Sequence, residues 1–323
     1  MMTSSRVQLS RFLLVSLVFF IASVAIALKS GAVQNADLDL ILQLRLPRVL
    51  LASAVGIGLS VAGAALQALF ANPLCEPYTL GISSGAALGA VLGTALGYEF
   101  SHAGLAGPAF LGALVFAGIL SVISNRANAS NLGTLLAGVM LGLLGSSLVA
   151  VWMAVSDAQG IQGALIWLMG SLARARLHGS LIALLGTLSL SCFLWARWRE
   201  LDALLLGEEG AQALGIAVKP ARTRIILLSS LLVGLAVSGA GMIGFVGLMI
   251  PHFVRKYVGP LHLALLPFCA LWGAIALNLA DAAARVVLSP YELPVGVVTA
   301  LAGAPFFLSI LLRRNAVSSR GEF

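Results

Sequence analysis

Long uncharged, apolar runs alternate with short charged segments along the whole chain. An α-helix rises about 1.5 Å per residue, so a bilayer core of about 30 Å requires roughly 20 apolar residues. Nine runs approach or exceed that length: 12–28, 49–71, 78–98, 103–125, 128–156, 178–196, 225–254, 257–280 and 293–312. The pattern predicts an all-α polytopic membrane protein.

The seventh run, 225–254, is too long for a single span. It is interrupted at 238–247 by SGAGMIGFVG, a glycine-rich stretch that favours a tight turn between two helices. The prediction is therefore ten transmembrane helices per subunit, in one membrane domain that covers residues 1–323. An even number of spans puts both termini on the same side of the membrane.

Lysine and arginine are distributed unequally between the predicted loops. With both termini in the cytoplasm, thirteen of the 19 basic residues lie inside and six lie outside, as the positive-inside rule requires. The inside set is Arg6, Arg11, Arg126, Arg197, Arg199, Lys219, Arg222, Arg224, Arg255, Lys256, Arg313, Arg314 and Arg320, and the outside set is Lys29, Arg45, Arg48, Arg174, Arg176 and Arg285. The net charge of +7 mostly reflects this bias, and no basic stripe interleaved with aromatic residues argues for nucleic-acid binding.

Composition supports a membrane protein and excludes several kinds of site. Hydrophobic residues make up 60% of the chain and the mean hydropathy is +1.03, whereas soluble domains are about 45–50% apolar. Cys75, Cys192 and Cys269 are too far apart to define a disulfide framework or a metal motif. The first run follows Arg6 and Arg11 and is either a signal peptide or a retained membrane anchor; its length favours the anchor.

The sequence contains no motif for catalysis. No GxxxxGK[ST] phosphate loop occurs, and the four histidines are isolated from one another and from paired carboxylates. The predicted spans contain no Asp, Glu, Lys or Arg, although carriers coupled to protons or sodium usually bury such groups. We therefore expect a transporter with no enzyme activity, no metal site and an energy source outside the chain. A secondary carrier or channel and a non-transporting scaffold are the alternatives.

Ionisable residues gather at the predicted outer face. Arg45 and Arg48 lie three positions apart in LRLPR, beside a proline that can begin a helix. This spacing lets both side chains hold carboxylates of a partner from one side of the helix, although interfacial snorkelling is the alternative. Asp281 and Arg285 precede YELP at 291–294 on the same face.

The inner segment 197–224 contains LGEEGAQALG. Glu208 and Glu209 suit the first turn of a short helix, where carboxylates interact favourably with the positive end of the helix dipole, and Gly215 suits its end. A compact surface between them suits a partner's groove, although a solvated loop is the alternative. That surface comprises Ala211, Gln212, Ala213 and Leu214.

Seven segments carry a resemblance to a known family: LRLPRVLLASAVG, GAALQALFANPLCEPYTLGISSGAALGA, LLAGVMLG, LGEEGAQALGI, GMIGFVGLMIPH, LADAAAR and ELPVGVVTALAGAPFFL. In this order they resemble the FecCD-type permeases, the membrane subunits of type II ABC importers for ferric siderophores, haem and cobalamin. The resemblance implies a homodimer of ten-helix subunits around a central pathway in the bacterial inner membrane. It also implies two cytoplasmic ABC ATPase subunits, which hold ATP and Mg²⁺, and a periplasmic substrate-binding protein. The chain itself would bind no cofactor.

The resemblance also implies roles for three sets of residues. Outer arginines receive glutamates from the two lobes of the binding protein, and the matching positions are Arg45, Arg48 and Arg285. A coupling segment docks in a cleft of the ATPase, and it comprises Glu208, Glu209, Gly210, Ala211, Gln212, Ala213, Leu214 and Gly215. The cytoplasmic gate lies after the second helix and at the start of the fifth helix, and it comprises Asn72, Leu74 and Asn131.

Overall fold

The computed structural model describes residues 2–31, 37–98, 102–126 and 131–318, and every regular element in these ranges is helical. The helices in chain order are α1 (Met2–Lys29), α2 (Leu38–Leu40), α3 (Leu46–Leu69), α4 (Ile82–Ala95), α5 (His102–Asn125), α6 (Asn131–Val155), α7 (Ala158–Leu168), α8 (Leu177–Trp195), α9 (Trp198–Leu204), α10 (Gly207–Ala213), α11 (Val218–Ala240), α12 (Val246–Val258), α13 (His262–Val286) and α14 (Val295–Ser318). A π-helical turn at Ile41–Arg45 joins α2 to α3, and a 3₁₀ turn at Pro77–Leu80 precedes α4. The predicted all-α class is confirmed for these ranges; Arg320 of the inside set lies outside them.

Seven stretches in the described residues are long and apolar enough to cross a membrane. They are Leu9–Lys29, Leu38–Leu69, Gly104–Asn125, Asn131–Val155, Leu177–Trp195, Val218–Ala240 and His262–Val286. Two shorter apolar helices, Ile82–Ala95 and Val295–Ser309, coincide with two further predicted runs. This is the pattern of a protein that crosses a membrane several times.

The seventh run divides where its glycines predict a turn. α11 ends at Ala240, and Gly241 follows at a φ of +72°, a left-handed conformation that glycine adopts without strain. Phe245, at a φ of +68°, precedes the first residue of α12. The predicted turn between two helices is confirmed.

α3 forms the centre of the helix bundle. In the most apolar stretch of its span, 94% of the residues are buried, against 17% in the span of α1. α3 packs against α8, α11, α12 and α13. A Cβ on Gly56 would lie 2.1 Å from the carbonyl oxygen of Gly273, and one on Gly63 would lie 2.0 Å from that of Gly247. Glycine thus lets the backbones touch, which favours helix association where lipid is as apolar as the side chains.

The spans extend into the charged segments at one end of the bundle. The residues concerned are Arg45 and Arg48 in the second span and Asp281 and Arg285 in the seventh. These two helices are therefore longer than the uncharged runs, and the ionisable residues lie near their ends. The second span begins roughly three turns before its uncharged run, and the seventh ends roughly two turns after its run.

Pro47 lies in the first turn of α3, in agreement with the prediction that it can begin a helix, although the second span as a whole starts earlier. The helix is continuous from residue 38 to residue 69, and the π-helical turn Ile41–Arg45 lies immediately before the proline region. Proline lacks a backbone N–H, so the ordinary hydrogen bond to the fourth preceding residue cannot form there. The wider π-helical turn accommodates the missing hydrogen bond, and Arg45 and Arg48 lie in one continuous helical stretch.

Two short helices lie in segments that the apolar runs did not identify. α7 follows the fifth run, and its N-cap Asp157 accepts a hydrogen bond of 2.9 Å from the backbone N–H of Gly160. α9 precedes α10, so the inner segment contains two helices. A search for long uncharged runs misses both, because α7 is too short to span a bilayer and α9 contains charged residues.

Candidate functional site

Three arginines, from the second and seventh spans, and two carboxylates from near the end of the chain form a largely buried ionic group. We define the outer cluster as Arg45, Arg48, Asp281, Arg285 and Glu292. Arg48 Nε lies 2.8 Å from Asp281 Oδ1, and Arg48 Nη1 lies 2.9 Å from Glu292 Oε2. Arg285 Nη2 lies 3.1 Å from Asp281 Oδ2. Asp281 therefore pairs with two guanidinium groups, which compensate its removal from water.

Two arginines of the outer cluster also bind the end of α1. Arg45 Nη1 donates to the carbonyl oxygens of Leu28 and Lys29, at 2.7 and 2.9 Å. Arg285 Nη2 donates to the carbonyl oxygen of Ala27 at 2.8 Å. The last carbonyls of a helix have no partner within it and carry partial negative charge, so the two cations satisfy them. These bonds tie the end of α1 to the π-helical turn before α3 and to α13.

The outer cluster is closed to solvent except at one carboxylate. Arg45, Arg48 and Arg285 are 6%, 8% and 5% exposed, whereas the Glu292 side chain is 46% exposed. A cavity of about 260 Å³ adjoins the cluster; its other lining residues are Ser30, Gly31, Leu40, Leu44 and Ala173. The structure thus brings the three predicted docking arginines together and gives each of them internal partners.

The predicted short helix is present at the opposite end of the bundle. Leu51, Gly179 and Gly239 line one cavity, so the start of α3 lies beside the start of α8 and the end of α11. α10 follows the end of α8 and therefore lies at the other end. It has two glutamates in its first turn, and Gly215 follows it at a φ of +79°. The helix and its glycine terminator are confirmed.

α10 exposes leucines and buries part of the predicted contact surface. Leu206 and Leu214 are 67% and 62% exposed, whereas Ala211 is fully buried. Ala211 was expected in the exposed surface; it packs inward instead because one face of this short helix contacts α9 and α11. Gln212 and Ala213 are exposed as predicted. The accessible surface therefore includes these two residues, the two leucines and Glu209.

Arg222 connects α10 to the start of α6. Its Nη2 donates to Asn131 Oδ1 at 2.9 Å and forms an ion pair with Glu208. The hydroxyl of Thr223 donates to Asn125 Oδ1 at 2.9 Å, at the end of α5. A cavity of about 650 Å³ adjoins Arg222. The sequence analysis counted Arg222 only as a basic residue, since partners 14 and 91 positions away leave no local signal.

The predicted gate residues are divided between two segments. Asn72 and Leu74 lie in the loop after α3, where Asn72 Oδ1 accepts a hydrogen bond of 2.9 Å from the backbone N–H of Leu74. The Leu74 side chain is 49% exposed. Asn131 begins α6, where Arg222 binds it. The structure therefore associates Asn131 with the coupling segment.

A half-buried carboxylate connects the loop after α3 to the turn between α11 and α12. Glu76, two residues after Leu74, accepts a hydrogen bond from the backbone N–H of Phe245. Burial raises the pKa of the Glu76 carboxyl, and this hydrogen bond opposes the shift. The sequence analysis assigned Glu76 no role, because its partner lies 169 positions away.

Known proteins resemble this chain over almost its whole length. The profile of the FecCD transport family matches residues 8–313 of the 323-residue chain. The chain belongs to the FecCD family. The hemin transport system permease protein HmuU of Yersinia pestis is 40% identical over 281 residues, which cover 85% of this FecCD chain and 83% of the relative. The vitamin B12 import system permease protein BtuC of Vibrio cholerae is 38% identical over 313 residues, which cover 97% and 94%.

A solved structure extends the comparison to three dimensions. It is described as an inward-facing conformation of a metal-chelate type ABC transporter, and it matches with a TM-score of 0.87 and 34% identity over 94% of this chain and 99% of that chain. FecCD proteins are permease subunits of ABC transporters, so this chain is a multi-pass membrane transport subunit and not an enzyme. In the described part of this FecCD chain, no group of three or more His, Cys, Asp or Glu side chains could hold a metal ion.

Proposed function

We propose that this FecCD protein forms the translocation pathway of an ATP-driven importer for an iron chelate, either a siderophore or haem, or for cobalamin. The observation that carries the proposal is the match along most of the chain to permeases for haem and vitamin B12, at 40% and 38% identity. The sequence contains no phosphate loop, so ATP and Mg²⁺ would bind to a separate ATPase subunit. This chain would bind no cofactor of its own.

We further propose ten transmembrane helices with both termini in the cytoplasm. The seven long apolar stretches, the two shorter apolar helices α4 and α14, and α12 with its basic last turn supply that number. Thirteen basic residues in the predicted inside segments against six outside support this orientation. Bacterial relatives support the bacterial inner membrane as the location.

The two ends of the bundle suit two kinds of partner. Leu206 and Leu214 offer apolar contacts to a cleft in an ABC ATPase. The outer cluster offers guanidinium groups to glutamates of a periplasmic binding protein, which would have to replace its internal partners. A second copy of the chain would complete the central pathway, with Asn72, Leu74 and Asn131 at the cytoplasmic gate.

Uptake into proteoliposomes tests the proposal. The chain would be reconstituted with its cognate ATPase and binding protein, and uptake of a ferric siderophore, haem and cobalamin would be compared. We expect one of the three to accumulate with an active ATPase and not with a hydrolysis-deficient one. Uptake that persists without hydrolysis would indicate a secondary carrier or channel. Failure to take up any of the three would contradict the proposed substrate class.

A further inference from the structure

A buried guanidinium lies between the helix proposed to contact the ATPase and the helix that begins at a predicted gate residue. Arg222, in the second turn of α11, is 4% exposed. Its Nη2 forms an ion pair with Glu208 in the first turn of α10. The same nitrogen donates to Asn131, the first residue of α6, at 2.9 Å. One nitrogen atom therefore connects two helices.

This connection resists separation for an electrostatic reason. Separation from Glu208 would leave the buried guanidinium of Arg222 without a compensating charge, which costs free energy. Arg222 therefore follows Glu208 when α10 moves. The guanidinium group is planar and its donors have fixed positions relative to one another. A movement that shifts the end of the Arg222 side chain therefore also shifts the donor that holds Asn131.

A second hydrogen bond ties the neighbouring residue of α11 to α5. The hydroxyl of Thr223 donates to Asn125 Oδ1 at 2.9 Å, and Asn125 is the last residue of α5. The start of α11 thus contacts both the end of α5 and the start of α6. Displacement of α11 would reach these two helices together.

We propose that Arg222 is a positioning residue that transmits the displacement of α10 to the start of α6 during transport. The inference rests on the proposed function, since it requires α10 to contact the ATPase. Because α6 begins at Asn131, the same displacement reaches the predicted cytoplasmic gate. Arg222 acts through Glu208 and Asn131.

Arg224 provides a matched control two positions along the same helix. Its Nη2 lies 3.0 Å from Glu200 Oε1, and its side chain is 44% exposed. Glu200 belongs to α9, so this ion pair also joins α11 to the inner segment. It leads to α9, whereas the contacts of Arg222 lead to α10 and α6. Loss of the Arg224 ion pair should leave the transmission intact.

The first experiment measures the ligand transported per ATP hydrolysed by the complete importer in proteoliposomes. We expect Arg222→Gln to retain the ATPase and its hydrolysis but to lower this ratio about tenfold, a typical coupling effect. Arg222→Lys, which keeps the charge without the planar group, should give an intermediate ratio, and Arg224→Gln should match the wild type. A wild-type ratio for Arg222→Gln would overturn the inference. If the wild-type complex itself fails to bind an ATPase or to transport, the proposed function is contradicted instead.

A second experiment keeps Arg222 and so does not depend on the folding of its variants. Spin labels at Gln212→Cys in α10 and Leu132→Cys in α6, in a Cys192→Ser background, would report the distance between the two helices. Transmission through Arg222 predicts an unchanged distance between the nucleotide-free and ATP-bound importer while α10 moves with the ATPase. A nucleotide-dependent change in this distance would show that α6 does not follow α10, and the inference would be wrong.

Discussion

The two charged ends of the bundle expose opposite kinds of residue. In the outer cluster, the three arginines are at most 8% exposed and the accessible member is the carboxylate Glu292. Beside α10, Arg222 of the ion pair with Glu208 is buried, whereas Leu206 and Leu214 are more than 60% exposed. Charged residues in an apolar chain therefore do not by themselves mark a binding surface. In the outer cluster the charged residues bind one another and the end of α1, and beside α10 apolar side chains are exposed.

Removal of the central carboxylate of the outer cluster should have the largest effect. Asp281→Ala leaves the buried Arg48 and Arg285 without their shared partner, which typically costs about 3–5 kcal/mol of unfolding free energy. Thermal and denaturant unfolding of the purified chain in detergent would measure the loss. Glu292→Gln is the control, because its half-exposed ion pair should contribute less than about 1 kcal/mol. Equal stabilities of the two variants would show that the outer cluster does not hold the helices together.

Charged substitutions of the two leucines that flank α10 should have the next largest effect, a loss of affinity for the ATPase. Leu206→Asp with Leu214→Asp places carboxylates in the apolar contact and should weaken ATPase association by roughly 30-fold, as expected for a hot spot of about 2 kcal/mol. Affinity would be measured with the purified permease and ATPase. Gln212→Ala, which shortens a side chain in the same surface without adding a charge, should weaken the affinity less. Retained affinity in the double aspartate variant would mean that the ATPase binds elsewhere.

The smallest expected effect is an increase in the affinity for the binding protein when Glu292 loses its charge. Glu292 forms an ion pair with Arg48. Glu292→Gln should therefore leave the Arg48 guanidinium more available to a carboxylate of the binding protein. We expect the affinity for the binding protein to increase by up to about fivefold at low salt, with a smaller gain at high salt. Arg45→Glu, which reverses a docking charge, should decrease it. A decrease with Glu292→Gln would indicate that Glu292 itself contacts the binding protein.

The sequence was sufficient for features that depend on neighbouring residues. The glycines of the seventh run predicted the turn before α12, because glycine adopts positive φ without strain. The two glutamates and Gly215 predicted α10 because dipole and terminator effects act within one turn. The three arginines were grouped by their place on the predicted outer face and by the family resemblance, and the structure brings them into one cluster; their docking role stays a prediction.

Features that depend on distant parts of the chain could not be predicted in this way. Arg48 and Asp281 are 233 positions apart, and the bonds from the arginines to the end of α1 involve backbone oxygens that every sequence has. The inward orientation of Ala211 depends on how α10 packs against its neighbours, which one short helix does not specify. The role of Arg222 becomes visible only when α6, α10 and α11 are in contact.

The central position of α3 has a consequence for the synthesis of the chain. Its neighbours α8, α11 and α13 all follow it in sequence, and α13 begins about 190 residues after α3 ends. At a translation rate of roughly 5–20 residues per second, α3 is complete roughly 10–40 s before α13 begins to emerge. During this interval its glycines and serines face lipid or the insertion machinery, since the helices that later cover them do not yet exist. The order of synthesis therefore limits which side chains α3 can contain, in addition to the limits set by its final packing.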